Sequence, residues 1–284
     1  VKEFVEAFRA EGLCVGFYYS LIDWHHPDFT IDGKHPRRPK WANDCGTFGD
    51  ADADYPELNR GRDMAMYRRY MKDQVRELLT GYGPIDILWF DFTYEGEHGK
   101  SAADWDSEGL LRLARSLQPQ VIVNNRLGLG ETTADGWDFV TPEQFRVKEW
   151  PTVRGARVPW ETCQTFSGSW GYARDEMTWK DTPEIVSLLA DTVSKGGNLI
   201  MNVGPTARGR FDARALARLS AVGAWLDDNG RAVYGCTQAP ARFTPPENTL
   251  LTYNPETNRL YVHLLVYPGQ RLSCAFPEEV VYAS

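Results

Sequence analysis

The chain has 284 residues, 42% of them hydrophobic and 25% charged, which suits a soluble globular protein of one large domain with or without a small appendage. A formal charge of −8 without any basic stripe argues against nucleic acid and anionic membrane surfaces as partners, and no apolar run approaches the roughly 18–20 residues that span a bilayer. The five cysteines, Cys14, Cys45, Cys163, Cys236 and Cys274, are odd in number and lack metal-type spacing, so free thiols are expected and neither a disulfide scaffold nor a zinc site is indicated.

In chain order, residues 1–12 carry the apolar stripe Phe4, Val5 and Phe8, a helix that opens without a cap and stops at Gly12. Residues 13–20 predict a buried strand ending in Tyr19-Ser20. A long irregular stretch over 21–60 opens with Asp23-Trp24-His25-His26-Pro27, and a loop of that length in a compact domain is commonly functional. Met64, Tyr67, Met71, Val75 and Leu78 predict one face of a helix over 61–80. Pro84–Phe92, a short apolar run bounded by Gly83-Pro84, predicts a strand with Asp91 near its end. A helix follows near 105–117 with Leu110, Leu113 and Leu117, then a strand over 120–126 ending in Asn125-Arg126. A short strand is expected over 138–143 and another over 158–164, the latter leading to a loop that ends at Trp170-Gly171-Tyr172. A helix over 182–195 stops at Gly196-Gly197, a strand runs over 198–205, and a long helix covers 212–228. From about 236 the pattern turns to short β runs, 250–253 and 260–266, joined by the turn Asn254–Asn258.

Helix and strand alternate over 1–230, which implies a parallel sheet. Its strands end repeatedly in polar residues, the pattern of a β/α barrel with its site at the strand C-termini. The expected fold is therefore α/β: a (β/α) TIM-like barrel over 1–235, followed by a partial antiparallel, sandwich-type β domain over 236–284. About six strands are countable where a closed barrel needs eight. The uncapped start suggests that the first strands lie upstream, and too few strands close the second domain. Missing strands would expose sheet edges, which favours self-association into a homo-oligomer.

A carboxylate at a strand end is costly to bury unless paired or needed for chemistry. Asp91 is accordingly the candidate catalytic nucleophile. A retaining glycosidase needs a second carboxyl group about 5–5.5 Å away as acid/base. Glu143 and Glu161 both fall near predicted strand ends, and spacing alone does not choose between them. Arg126 is either a substrate contact or a scaffold partner of Asp138 or Asp91, Trp89 either a sugar contact or core, and His25 and His26 either ligand contacts or solvated loop residues.

Taken together, the motifs resemble the α-L-fucosidases of glycoside hydrolase family 29. They are Gly16-Phe17-Tyr18-Tyr19-Ser20, Asp23-Trp24-His25-His26-Pro27, Leu88-Trp89-Phe90-Asp91, Val123-Asn124-Asn125-Arg126, Asp138–Glu143, Trp160-Glu161-Thr162-Cys163, Ser169-Trp170-Gly171-Tyr172 and Gly196–Pro205. The resemblance implies a retaining exo-hydrolase that removes terminal α-linked L-fucose from a fucosylated oligosaccharide or glycoconjugate, without metal or organic cofactor. It places the nucleophile at Asp91 and the acid/base at Glu143, with Glu161 in reserve. It sets Tyr19, His25, His26, Trp89, Arg126 and Trp170 around the sugar. The family carries an upstream segment with a histidine pair that this chain lacks, so a weakly active or non-catalytic sugar-binding fragment is the competing expectation, and an inverting glycosidase a third. A parent protein that is secreted, periplasmic or lysosomal is compatible with the sequence.

Overall fold

The structure is a computed structural model and describes residues 1–38, 55–94, 99–130, 136–267, 269, 271–274, 276–277 and 280. The described chain forms two compact units, Val1–Val140 and Thr141–Ser284. Both are mixed α/β.

In the first unit, α1 (Lys2–Ala10) buries Val5 and leaves Phe4 and Phe8 exposed, their rings 4.2 Å apart. Strand β1 is Gly16–Ser20. A single turn, α2 (Tyr55–Leu58), precedes α3 (Met64–Thr80), whose N-cap Asp63 accepts a bond from the Ala65 amide and so satisfies one of the helix's orphan donors. The buried face of α3 is Tyr67, Met71, Val75 and Leu79. Its i, i+4 spacing selects Leu79, whereas Leu78 packs only at the margin of the core. Strand β2 is Ile87–Asp91 and lies parallel to β1, with Tyr18 opposite Trp89 and Ser20 opposite Asp91.

The expected helix near 105–117 is two helices, α4 (Ala102–Trp105) and α5 (Ser107–Leu117). Asp106 breaks them apart in the left-handed conformation and caps α5 through its side chain. Strand β3 is only Ile122–Val123, parallel to β2, against an expected run to residue 126. The cause is Asn124, which is fully buried. Its side-chain amide accepts from the Phe90 amide at 3.0 Å and donates to the Phe90 carbonyl at 2.9 Å. A side chain thus completes the ladder that the β3 backbone would otherwise supply, and Asn124 itself bridges to Phe139.

Side chains alternate across a strand with period two. On β1–β2 one face therefore carries Tyr19, Leu88 and Phe90, packed into the core with Tyr67, Met71, Leu110 and Leu111. The other carries Tyr18, Ser20, Trp89 and Asp91.

In the second unit, the hairpin β4 (Thr152–Val153) and β5 (Ala156–Arg157) has no counterpart among the expected elements. Its two-residue turn, Arg154-Gly155, has φ of 49° and 79°. Both central residues are thus left-handed, the geometry of a type I′ hairpin, but an Arg in place of the usual Asn or Asp hides the signal. Strand β6 (Glu161–Thr165) pairs in parallel with β7 (Asn198–Asn202), with α6 (Thr182–Ser194) between them in sequence, capped by Asp181. At the end of α6 the backbone runs close over Trp160: a Cβ on Gly197 would lie 2.3 Å from its ring. Helix α7 is Ala213–Asn229, and β8 (Thr237–Gln238), β9 (Thr249–Asn254) and β10 (Arg259–Leu264) form an antiparallel sheet in the order β10–β9–β8, with β9 against α6.

Cys14, Cys236 and Cys274 are free thiols; the Cys163 thiol is buried and lies 3.8 Å from the Pro142 carbonyl, and Cys45 lies outside the described residues. No described helix is long and apolar enough to cross a membrane, and no described cluster of His, Cys, Asp and Glu could hold a metal ion.

Candidate active site

Asp91 closes β2 on the face opposite the helices. Its Oδ1 accepts from Arg126 Nη1 at 2.9 Å and its Oδ2 from the Tyr18 hydroxyl at 2.9 Å. Side chains of Asp91 and Arg126 are each 19% exposed. A charge-assisted bond on each oxygen fixes the plane of the carboxylate. Trp89, two residues earlier on the same face, supports both donors: the Tyr18 ring stacks on it at 5.6 Å and the Arg126 guanidinium lies 4.5 Å from its centroid. At 8% exposure, Trp89 is the platform of this cluster.

Arg126 thus partners Asp91. Asp138 is held instead by Arg115 at 2.5 Å and accepts from the Val123 amide, which anchors the segment leading to Phe139.

Tyr19 is expected near the sugar, and the structure puts it on the other side of the sheet. Its ring is buried against Phe90 at 6.1 Å, and its hydroxyl donates to Gln74 Oε1 on α3 at 2.8 Å. Burial, with nearby Tyr67, Tyr70 and Asp23, holds its phenol well above the ordinary range. The reason is alternation: Ser20 pairs with Asp91, so the residue two before it, Tyr18, shares the Asp91 face. Sequence reasoning misses Tyr18 because the choice between adjacent tyrosines depends on strand register, which only the pairing fixes.

Tyr18→Phe is expected to lower kcat about tenfold, since it removes one of the two bonds that orient the Asp91 carboxylate, and to cost about 1.5 kcal/mol of stability because that bond is to a charged group. Tyr19→Phe is expected to leave kcat unchanged and to cost about 1 kcal/mol of stability. Parallel kinetics and thermal melts of the two variants check the pair.

The two histidines do not join this cluster among the described contacts. His25 is exposed, with its amide bonded to Asp23 Oδ1. His26 packs on α3, its ring 4.4 Å from Tyr70 and 5.2 Å from Tyr67. The segment after β1 folds back over the start of α3, where Arg62 binds the carbonyls of Pro27 and Phe29, and this seats His26 on α3.

In the second unit, Glu143 bridges to Cys163, the middle residue of β6, and is exposed. Gln144 continues alongside, its Nε2 donating to Thr165 Oγ1 at 3.0 Å. Glu161 is the first residue of β6 and pairs with Asn198, the first of β7. The sequence sets it near the end of its strand, whereas it opens the strand, because β6 starts after Pro159, which has no amide hydrogen for a ladder, and runs to Thr165. Glu161 therefore lies at the strand end opposite to the kind that carries Asp91. Trp170 is 42% exposed, and its carbonyl accepts from Asn202 Nδ2 at 2.6 Å. Close by, at the C-terminal ends of β6 and β7, a small cleft is lined by Ser167, Tyr172, Trp179, Asn202 and Asp212 among others. Arg214 donates to Asp212 and holds its carboxyl down at about 2.

Residues 1–231 match the family described as alpha-L-fucosidase. The chain belongs to the α-L-fucosidase family. It is 30% identical to the plasma alpha-L-fucosidase of Homo sapiens over 295 residues, covering all of this chain and 56% of that protein. It is also 30% identical to the human tissue alpha-L-fucosidase over 276 residues, 94% of this chain and 51% of that one. The chain thus spans about half the length of the curated relatives it matches. Among solved structures, alpha-L-fucosidase isoenzyme 1 from Paenibacillus thiaminolyticus is 40% identical with a TM-score of 0.80, covering 93% of this chain and 59% of that one. A GH29 alpha-L-fucosidase from Bacteroides thetaiotaomicron is 25% identical with a TM-score of 0.69, covering 91% and 56%. That protein was captured as a covalent intermediate with 2-fluoro-fucosyl fluoride, using a glutamate-to-glutamine variant.

Proposed function

We propose that this α-L-fucosidase-family chain is the catalytic portion of a retaining exo-fucosidase. Its parallel strands belong to a (β/α) barrel, and residues from about 236 onward belong to a β-sandwich-type domain. Asp91 is the nucleophile: its carboxylate attacks the anomeric carbon of a terminal α-L-fucosyl residue as the bond to the glycosidic oxygen breaks. Glu143 gives that oxygen its proton. Glu143 then takes a proton from water, which attacks the fucosyl–Asp91 ester, releases L-fucose with its anomeric configuration kept, and frees the carboxylate. Neither step calls on a metal or an organic cofactor. The substrate is a fucosylated oligosaccharide or glycoconjugate.

The observation that carries this reading is the Asp91 cluster. A carboxylate at a buried strand's C-terminal end, held in one plane by Arg126 and Tyr18 over Trp89, is pre-aimed, and pre-aiming is the larger part of what a nucleophile needs. The captured intermediate of the Bacteroides thetaiotaomicron relative supports double displacement here.

Incubation with a chromogenic aryl α-L-fucoside, followed by NMR of the first-formed sugar, tests the reading. The α-anomer appearing first is the expected result. The β-anomer first would mean inversion and overturn the nucleophilic role. Tight binding of fucose without turnover would favour a sugar-binding fragment.

A further inference from the structure

The backbone leaves Asp91 through a strained turn. Phe92 sits at φ +78°, in the left-handed region that a bulky side chain adopts only when its surroundings over-determine it. The Leu21 amide, just past β1, donates to the Asp91 carbonyl at 3.0 Å, so the segments following the two strands start side by side. They are joined again further out. The Tyr94 amide donates to the Lys100 carbonyl at 3.0 Å, and a Cβ on Gly99 would come within 2.5 Å of Tyr94 Cβ, so Tyr94 lies directly against Gly99-Lys100.

Lys100 is 5% exposed. Its ammonium donates to the Thr30 carbonyl at 2.8 Å, pairs with the Asp32 carboxylate and lies 4.2 Å over the Phe29 ring. These three neighbours match its three N–H donors. The other oxygen of Asp32 accepts from the amides of Lys34 and His35 at 2.9 and 3.0 Å, and Lys34 covers the Tyr94 ring at 4.6 Å. Phe29 is fully buried and meets Tyr67 of α3 edge-on at 5.0 Å. The segment after β1 and the segment after β2 are thus clasped by a buried ion pair seated on the core.

Such a pair is a poor source of stability, because desolvation offsets most of its attraction; burial alone lowers the ammonium's basicity. Apolar side chains would fill the same volume without that penalty, whereas a directional, fully bonded ion pair fixes one arrangement of the two segments. We propose that the Lys100–Asp32 clasp is a positioning device for the nucleophile: it holds the strained turn at Phe92 and, through it, the aim of the Asp91 carboxylate. Lys100 touches no substrate. The inference rests on Asp91 being the nucleophile.

The test compares the parent chain with Lys100→Met and with Lys100→Met/Asp32→Asn. Four readouts are taken: melting temperature, kcat and KM on an aryl α-L-fucoside, the rate of covalent labelling of Asp91 by 2-fluoro-fucosyl fluoride, and amide hydrogen exchange at residues 92–94. The single variant leaves a buried carboxylate unpaired and melts lower. In the double variant the new side-chain amide oxygen still accepts from the Lys34 and His35 amides without a lone charge, and most of the melting temperature returns. Both are expected to keep kcat and labelling roughly tenfold or more below the parent, on the scale of a small misplacement of a reacting group, with KM little changed and faster exchange at 92–94. A double variant that labels and turns over at the parental rate overturns the proposal, as does unchanged exchange at 92–94. A parent that neither turns over nor labels overturns the role of Asp91 and the clasp's catalytic use together. Faster exchange in the variants then still separates a clasp that holds the turn from one that does not.

Discussion

Asp91→Asn is expected to lower kcat for an aryl α-L-fucoside roughly a thousandfold or more, the scale of removing a covalent nucleophile. The substitution is close to isosteric, and the surroundings accept it. The amide oxygen can take the Arg126 bond now made by Oδ1 at 2.9 Å, while the amide NH₂ faces Tyr18, whose hydroxyl then accepts in place of donating at the present 2.9 Å. Exchanging a charged bond for a neutral one costs about 1–3 kcal/mol, so the variant stays folded and the lost rate is chemical. A thermal melt beside the kinetics separates the two effects. Residual activity within tenfold of the parent would remove Asp91 from the nucleophilic role.

Glu143→Gln should show its effect through the leaving group. A general acid matters most where the departing oxygen is basic. The loss is therefore expected to be about tenfold for a nitrophenyl leaving group and roughly 10²–10⁴-fold for a sugar alcohol, the range general acid–base catalysis supplies. The decisive readout is the slope of log kcat/KM against leaving-group pKa, steep in Glu143→Gln and shallow in the parent. Glu161→Gln serves as the comparison. Glu161 opens β6 opposite Asn198, while the residues beside Glu143 run on to Thr165 at the strand's far end. Its variant should keep the parental slope. A steep slope in Glu161→Gln and a shallow one in Glu143→Gln would exchange the two assignments.

The contrast between Tyr18 and Tyr19 shows where sequence reasoning stops. Both are aromatic, adjacent and near a strand end, so composition and position treat them alike. One-residue register decides which of them meets Asp91 and which is buried on α3, and a strand's faces are assigned only once its partner is in place. Arg126 illustrates a different limit. Its residue type suits Asp138 or Asp91 equally, and the choice falls to Arg115, which takes Asp138. The clasp is invisible in the sequence for the same reason: Lys100 and Asp32 are distant along the chain, and each is an ordinary loop residue until Phe29 sits between them and the core.

The sequence by itself determined the parallel α/β pattern, the major helices to within a few residues and the family. It also singled out Asp91, because apolar period, caps and a carboxylate in a buried run are local properties written in neighbouring residues. Only the tertiary structure decided which face each strand residue takes, that Asn124 ends β3 by pairing with Phe90 through its side chain, that Glu161 begins its strand, and that buried Lys100 joins the segments flanking Asp91. Each of these turns on a partner far along the chain, and its free energy exists only after the backbone has brought the two together.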